Sequence, residues 1–280
     1  MKKYASRIYL CLIFGILYIP IATVILFSFN DSPSTAEFSG FSFYWYKELF
    51  RSEEAWIALR NTLILAVSSS LIATVIGTAA AEGIYKMRSK LLKLTINSVT
   101  NIPMMNPDIV TGMSMMLFFA AIMGIFRIAD YNNIGFLAML ISHTTFCLPY
   151  VILSVLPRIN ELGDSLSEAA LDLGCTPLQS LFKVELPNIT SGILTAFIMA
   201  FTLSLDDFVI SYFTSGSDFQ TLPILIFSMT KKEVTPDIYA LSTLMIVAIF
   251  VLLVLSNLSK SDKKSAPRQR RRKKTVSPSE

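Results

Sequence analysis

The sequence predicts an all-α membrane protein with six transmembrane helices. Three observations predict it. Of 280 residues, 53% are hydrophobic, with a mean hydropathy of +0.57. Apolar stretches long enough to cross a bilayer recur along the chain, and basic residues gather in the connections between them. A helix needs about 20 apolar residues to span the hydrocarbon core, and backbone groups there must bond internally. A charged fraction of 16% with this hydropathy excludes an ordinary soluble domain.

The first span is placed at 8–29. It lacks a small-residue cleavage site before Asn30, so it is expected to be retained rather than removed as a signal peptide. Spans at 61–85 and 104–126 follow, carrying Gly77, Gly83, Gly112 and Gly124, small residues that let membrane helices approach closely. Spans at 134–156, 189–213 and 237–258 complete the set. The expected organisation is a permeation-type membrane domain over 1–258 and a basic, disordered tail over 259–280.

Basic residues in short loops set the orientation. Lys2, Lys3 and Arg7 place the N-terminus in the cytoplasm, as do Lys86, Arg88, Lys90 and Lys93 for the connection after span two. The tail, with Lys260, Lys263, Lys264, Arg268, Arg270, Arg271, Arg272, Lys273 and Lys274, is cytoplasmic by the same rule. Between Asn30 and Arg60, Lys47, Arg51 and Arg60 face Asp31, Glu37, Glu48, Glu53 and Glu54, which suits the outside. The loop 157–188 must then be cytoplasmic although acidic residues dominate it, which points to contact with a partner protein.

That loop has a definite local architecture. Ser165-Leu166-Ser167-Glu168 fits a capping box opening a helix, and Ala169, Ala170 and Leu171 favour its continuation. Gly174 is placed to end it in a left-handed cap. Thr176-Pro177-Leu178-Gln179 restarts a helix with a second box and proline at its first position. Leu186-Pro187 is expected to close that second helix before the next span. The outcome is two short helices on a tight turn, a shape that can enter a partner's groove.

The spacing Glu168-Ala169-Ala170, three residues, Gly174, nine residues, Val184, one residue, Leu186-Pro187 resembles the cytoplasmic EAA loop of ABC importer permeases, with Val184 standing where isoleucine is usual. The resemblance implies the type I importer permease fold, with the coupling-helix loop between spans four and five. It also implies that Glu168, Ala169, Ala170, Gly174 and Pro187 form or shape the dock for a separate ATPase. ATP would be bound by that partner, and this chain would need no cofactor of its own.

Ionisable residues inside the apolar spans bear on the solute, because each charge costs about 2.5–3.5 kcal/mol or more at mid-bilayer. Span five holds Asp206-Asp207. On one continuous helix these neighbours sit about 100° apart, grouping Ser191, Thr195, Thr202 and Asp206 on one stripe and Ser204, Asp207 and Ser211 on another. The pair either lines a route for a polyvalent organic cation, or pairs with basic groups of another subunit, or sits at the outer surface. Asp108 is either a second pathway carboxylate or the dipole-favoured acid of a helix restarted at Asn106-Pro107. Glu82 has Lys86 one turn later and is expected to pair with it.

The outer run Phe41-Ser-Phe-Tyr-Trp-Tyr46 either anchors at the interface or offers a cation–π contact at the entrance, with Trp45 its strongest ring. His143 is expected to hydrogen-bond between helices rather than bind metal. Cys11, Cys147 and Cys175 are not placed for an extracytoplasmic disulfide. No Walker A sequence or catalytic motif is present, so the chain is expected not to be an enzyme.

The outer aromatic run with Glu48-Leu49-Phe50, the EAA loop with Leu171-Asp172-Leu173-Gly174, and Ser204-Leu205-Asp206-Asp207-Phe208 together are similar to the polyamine branch of these permeases, and within it to the second of two permease subunits. That similarity implies a spermidine/putrescine importer in a bacterial inner membrane: a second homologous permease, an ATPase dimer and an extracytoplasmic binding protein. Asp206, Asp207, Ser204 and Asp108 would then line the cation route, with Trp45 at its mouth. Related permeases for thiamine, ferric iron or opines share much of the scaffold and remain alternatives for the cargo. A secondary transporter is a further alternative, although no internally repeated half is evident.

Overall fold

A computed structural model describes residues 2–32, 37–126, 135–216, 219–231 and 236–261. Twelve helices occur among them, joined by turns, with only an isolated bridge between Asn30 and Phe41 in place of any sheet. They are α1 (Lys2–Phe27), α2 (Tyr44–Arg51), α3 (Glu53–Lys86), α4 (Lys90–Met105), α5 (Asp108–Phe126) and α6 (Gly135–Leu162). The rest are α7 (Ser165–Asp172), α8 (Pro177–Ser180), α9 (Leu186–Asp206), α10 (Val209–Thr214), α11 (Leu222–Thr230) and α12 (Pro236–Ser261). Five of them carry stretches long and apolar enough to cross a membrane, and α12 supplies a shorter apolar stretch, Asp237–Val251. These correspond to the six expected spans. The tail beyond Ser261 lies outside the described residues.

Three boundaries differ from the sequence expectation. Span two begins eight residues early, because the Ser52 hydroxyl caps the helix by accepting the Ala55 amide at 3.3 Å, with Glu53 and Glu54 in the dipole-favoured first turn. At 34 residues α3 is about 51 Å long and overshoots the hydrocarbon core. The third span is broken at Asn106-Pro107; its restarted helix α5 begins one residue later than expected, with the Pro107 carbonyl accepting from Val110 at 2.9 Å. Span five is broken as well: α9 stops at Asp206, Asp207 is extended (φ −65°, ψ 120°), and α10 starts afresh. The two aspartates therefore flank a break and do not occupy neighbouring stripes of one helix.

The core lies where α3, α6 and α9 meet. Ala73, Ala81, Cys147, Val151, Val155, Ile159, Ile189, Ala196 and Ala200 are buried there. Lipid tails give helices little hydrophobic reason to associate, so close backbone approach and dispersion must hold them. Gly77 shows how close: a Cβ on it would sit 2.5 Å from Val151 Cγ1. A second cluster, Leu49, Ala55, Ala58, Leu222, Leu225 and Leu241, ties α2 and the N-terminal end of α3 to α11 and α12. There the Thr62 hydroxyl accepts the Leu222 amide at 2.7 Å, and Asn61 Nδ2 donates to the Gln220 carbonyl at 3.1 Å.

Gly77→Val overpacks the α3–α6 crossing, which typically costs about 1–3 kcal/mol, and lowers the thermal midpoint of the purified protein in detergent. Gly83→Val, where a Cβ meets nothing within 4 Å, leaves the midpoint within error. Equal effects of the two substitutions would contradict this packing.

Candidate functional site

Two regions carry the predicted site residues: an elbow between α6 and α9, and the break in the fifth span. The elbow begins where α6 ends at Gly163, a left-handed residue (φ +69°). The expected Ser165–Glu168 capping box does not form. Asp164 holds the N-cap position with helical backbone and no capping side chain, because its carboxylate accepts the Tyr85 hydroxyl at 2.6 Å. Glu168 and Ala169 face outward, while Ala170 is buried against the rest of the elbow.

Gly174 ends α7 as expected, at φ +87°. The Cys175 amide donates to the Ala170 carbonyl and the Gly174 amide to that of Leu171, at 3.1 and 2.9 Å, the paired bonds of a Schellman cap. The second capping box is present too: the Gln179 amide donates to Thr176 Oγ1 at 3.3 Å, and the Thr176 amide to Gln179 Oε1 at 3.1 Å. Leu186-Pro187 does not close this helix. The chain passes through one wide π-turn over Leu181–Glu185 straight into α9, with Pro187 in its first turn. The proline has no amide to donate and its ring crowds the carbonyl four residues back. The π-turn relieves this by moving the bond of Leu186 to the carbonyl of Leu181.

The elbow is pinned to the C-terminal end of α3 by groups far apart in sequence. Lys86 Nζ lies 2.7 Å from Glu82 Oε1, the expected pair, and 3.3 Å from Glu185 Oε2 at the base of α9. Ser167 Oγ on α7 donates to Glu185 Oε1 at 2.8 Å, and Ser180 Oγ to the same oxygen at 3.4 Å. One ammonium and two hydroxyls therefore bind α3, α7, α8 and α9 through the buried carboxylate of Glu185. Sequence analysis missed Glu185, Tyr85 and Asp164. The available signal was an acid placed just before a span and an aromatic beside Lys86.

At the broken span the polar groups sort into two sets. Asp207 turns inward: its Oδ2 accepts the Ser211 amide at 2.9 Å and its Oδ1 that of Ile210 at 3.4 Å, so this carboxylate caps α10. Ser204 is buried, and its hydroxyl lies 2.7 Å from His143 Nδ1 and 2.9 Å from Ser69 Oγ. His143 Nε2 lies 3.0 Å from Ser211 Oγ and 3.5 Å from Asp207 Oδ2. The histidine thus bridges α6 to both halves of the broken span, as an interhelical hydrogen-bonding residue should.

Asp206 and Asp108 are exposed, and neither forms an ion pair among the described residues. Asp206 ends α9 at the break, and α5, which Asp108 opens, packs on α10 beyond that break: one turn after Asp108, a Cβ on Gly112 would come 3.3 Å from the Val209 carbonyl. Trp45 is half-buried and donates its indole N–H to the Asn30 carbonyl at 2.9 Å, which fixes the outer loop. Around it Phe29 stacks on Phe41 with centroids 4.8 Å apart, and Tyr46 reaches Ser28 at 2.8 Å. No group of metal-binding side chains occurs among the described residues.

Residues 73–261 match the family model for the binding-protein-dependent transport system inner membrane component. The chain is 36% identical to the spermidine/putrescine transport system permease protein PotC of Haemophilus influenzae, over 92% of this chain and 96% of the relative. It is 36% identical to the putrescine transport system permease protein PotI of Escherichia coli K12, over 85% and 84%. A bacterial ABC transporter that imports the acidic polysaccharide alginate contains a chain of the same fold, with TM-score 0.70, 18% identity, and coverage of 93% and 94%. These relatives are transport permeases, not enzymes. The chain is a multi-pass inner-membrane protein with the type I ABC importer permease fold, and it belongs to the family of binding-protein-dependent transport system inner membrane components.

Proposed function

We propose that this chain forms half of the translocation pathway of an ATP-driven importer for polyamines such as spermidine and putrescine. The observation that carries the cargo is the pair of exposed carboxylates Asp206 and Asp108, neither in an ion pair among the described residues. One ends α9 at the helix break, and the other opens α5, which packs on α10 just past that break. Helix breaks inside a membrane protein occur where the backbone is buried in protein or lines a cavity. Fixed negative charge there attracts a polyvalent ammonium chain and repels an oxyanion. The cargo named for the relatives agrees with that chemistry. Asp207 and Ser204 act behind this surface by holding the break open in one geometry. Trp45 acts by fixing the outer loop.

The elbow is the dock for a partner ATPase, which binds the ATP. Glu168 and Ala169 face outward, and the tip presents Leu173, Leu178 and Phe182 at 86%, 69% and 65% exposure. Apolar side chains so exposed suit burial in a partner's groove. Closure of the ATPase pair pushes the elbow. The Glu185–Lys86 junction passes that push to α3, and the continuous helix passes it along α9 to Asp206. A second homologous permease completes the route, and an extracytoplasmic binding protein delivers the solute. Both termini are cytoplasmic, in keeping with their basic residues, and counting spans puts the acidic elbow on the same side.

Asp206→Asn and Asp108→Asn lower uptake of labelled spermidine and putrescine while the ATPase still co-purifies. Normal uptake by both variants would remove the pathway assignment, and uptake of thiamine or ferric iron instead would redirect the cargo. Lys86→Met or Glu185→Gln lowers ATP-driven uptake about five- to tenfold, the low end of usual coupling energies. The charge exchange Lys86→Glu with Glu185→Lys recovers much of it, since Ser167, Ser180 and Glu82 keep partners. Gly174→Asp forces a side chain into left-handed backbone, a strain of about 1–2 kcal/mol. It leaves the protein inserted but uncouples uptake from ATP, measured as retained membrane level with lost transport.

A further inference from the structure

Beyond the carboxylates, three rings converge just after the break. Phe208, two residues past Asp206, lies 4.4 Å centroid to centroid from Phe227 of α11 and 5.4 Å from Tyr212 of α10. Tyr212 and Phe227 meet edge to face at 5.9 Å with a 74° interplanar angle. The ammonium of Lys231 lies over them, 4.8 Å from the Phe227 centroid and 5.8 Å from that of Tyr212. Both distances fall within the roughly 6 Å range over which a ring quadrupole attracts a cation. Lys231 and Phe227 are four residues apart at the end of α11, so helical spacing brings those two together. It does not account for Tyr212, which arrives from a different helix. Tyr212 is 47% exposed, so the assembly is open on one side.

A lysine side chain ends in a primary ammonium on an alkyl chain, the same group that ends a polyamine. We propose that Phe208, Tyr212 and Phe227 form a subsite for a primary alkylammonium, and that Lys231 occupies it when no substrate is present. This rests on the polyamine reading above and adds the group that receives one end of the chain. A diamine that displaces Lys231 leaves its second ammonium to the carboxylate of Asp206. The released lysine then carries a positive charge beside the entrance and opposes entry of a second cation. The rings bind the ammonium without any fixed negative charge, so they hold it loosely enough for onward passage.

The test uses the complete transporter and the concentration dependence of labelled putrescine uptake, with membrane levels matched by immunoblot. Lys231→Met removes the internal competitor and lowers KM about two- to fivefold, the size of an exposed cation–π contact. Losing a positive charge would itself lower KM, so the ring is tested separately in the Lys231→Met background. There, Phe227→Leu raises KM by a similar factor, while Phe227→Trp, with the strongest ring face, keeps it low. An unchanged KM for Lys231→Met, or for Phe227→Leu in that background, overturns the subsite while leaving polyamine uptake intact. Failure of the unaltered transporter to take up any polyamine overturns the cargo reading instead, and the subsite with it.

Discussion

In a bilayer there is little to squeeze helices together, so α3, α6 and α9 stay together because almost nothing stands between their backbones. Ala73, Gly77 and Ala81 on α3 meet Cys147, Val151 and Val155 on α6, with Ala196 and Ala200 of α9 closing the third side. Everything of functional interest hangs from this three-helix body. The elbow is the connection between two of its members and is pinned to the third. The broken span is the C-terminal continuation of α9, tied back to α6 by His143 and to α3 by Ser69. Both regions are therefore referenced to one rigid unit, although they belong to opposite ends of it.

Among the described residues, the polar side-chain contacts that join different helices of this body gather chiefly into two knots. Glu185 gathers four elements at the C-terminal end of α3, and His143 gathers three nearer the other end of the body. Buried polar groups are costly unless satisfied, so each knot fixes one arrangement of the helices around it. Packing through small residues sets the distance between helices; the knots set their register. A protein that must move as a body needs both, because apolar contacts alone permit sliding.

Much of the architecture was legible from sequence, and what was legible was local. Spans show because bilayer thickness imposes a run length. Gly174 and the Thr176–Gln179 box were found because left-handed caps and capping boxes are written within a few residues. The Ser165 box failed because the helix starts one residue earlier, the Asp164 carbonyl accepting the Glu168 amide at 2.9 Å. Asp164 itself leaves the cap open because its carboxylate is held by Tyr85, 79 residues away, a competitor no local pattern contains. Pro187 misled for the opposite reason: a proline normally stops a helix, but here one π-turn absorbs it. The break after Asp206 was hidden because its flanks are apolar and helix-compatible. Its cause is the Asp207 carboxylate taking the amides of Ile210 and Ser211. His143 was recognisable as a hydrogen-bonding residue, since a buried imidazole must find partners, but which partners depended on the fold.

The wide turn at Leu181–Glu185 has a mechanical consequence. It holds one residue more than a regular turn would, so the rod running from the elbow to Asp206 is phased differently from an unbroken helix of equal length. A stiff shaft with a single soft joint near one end transmits thrust along its axis while tolerating twist at the joint. The joint lies at the Glu185 junction itself, so a change of angle between the elbow and α9 can be absorbed there before it reaches the break after Asp206.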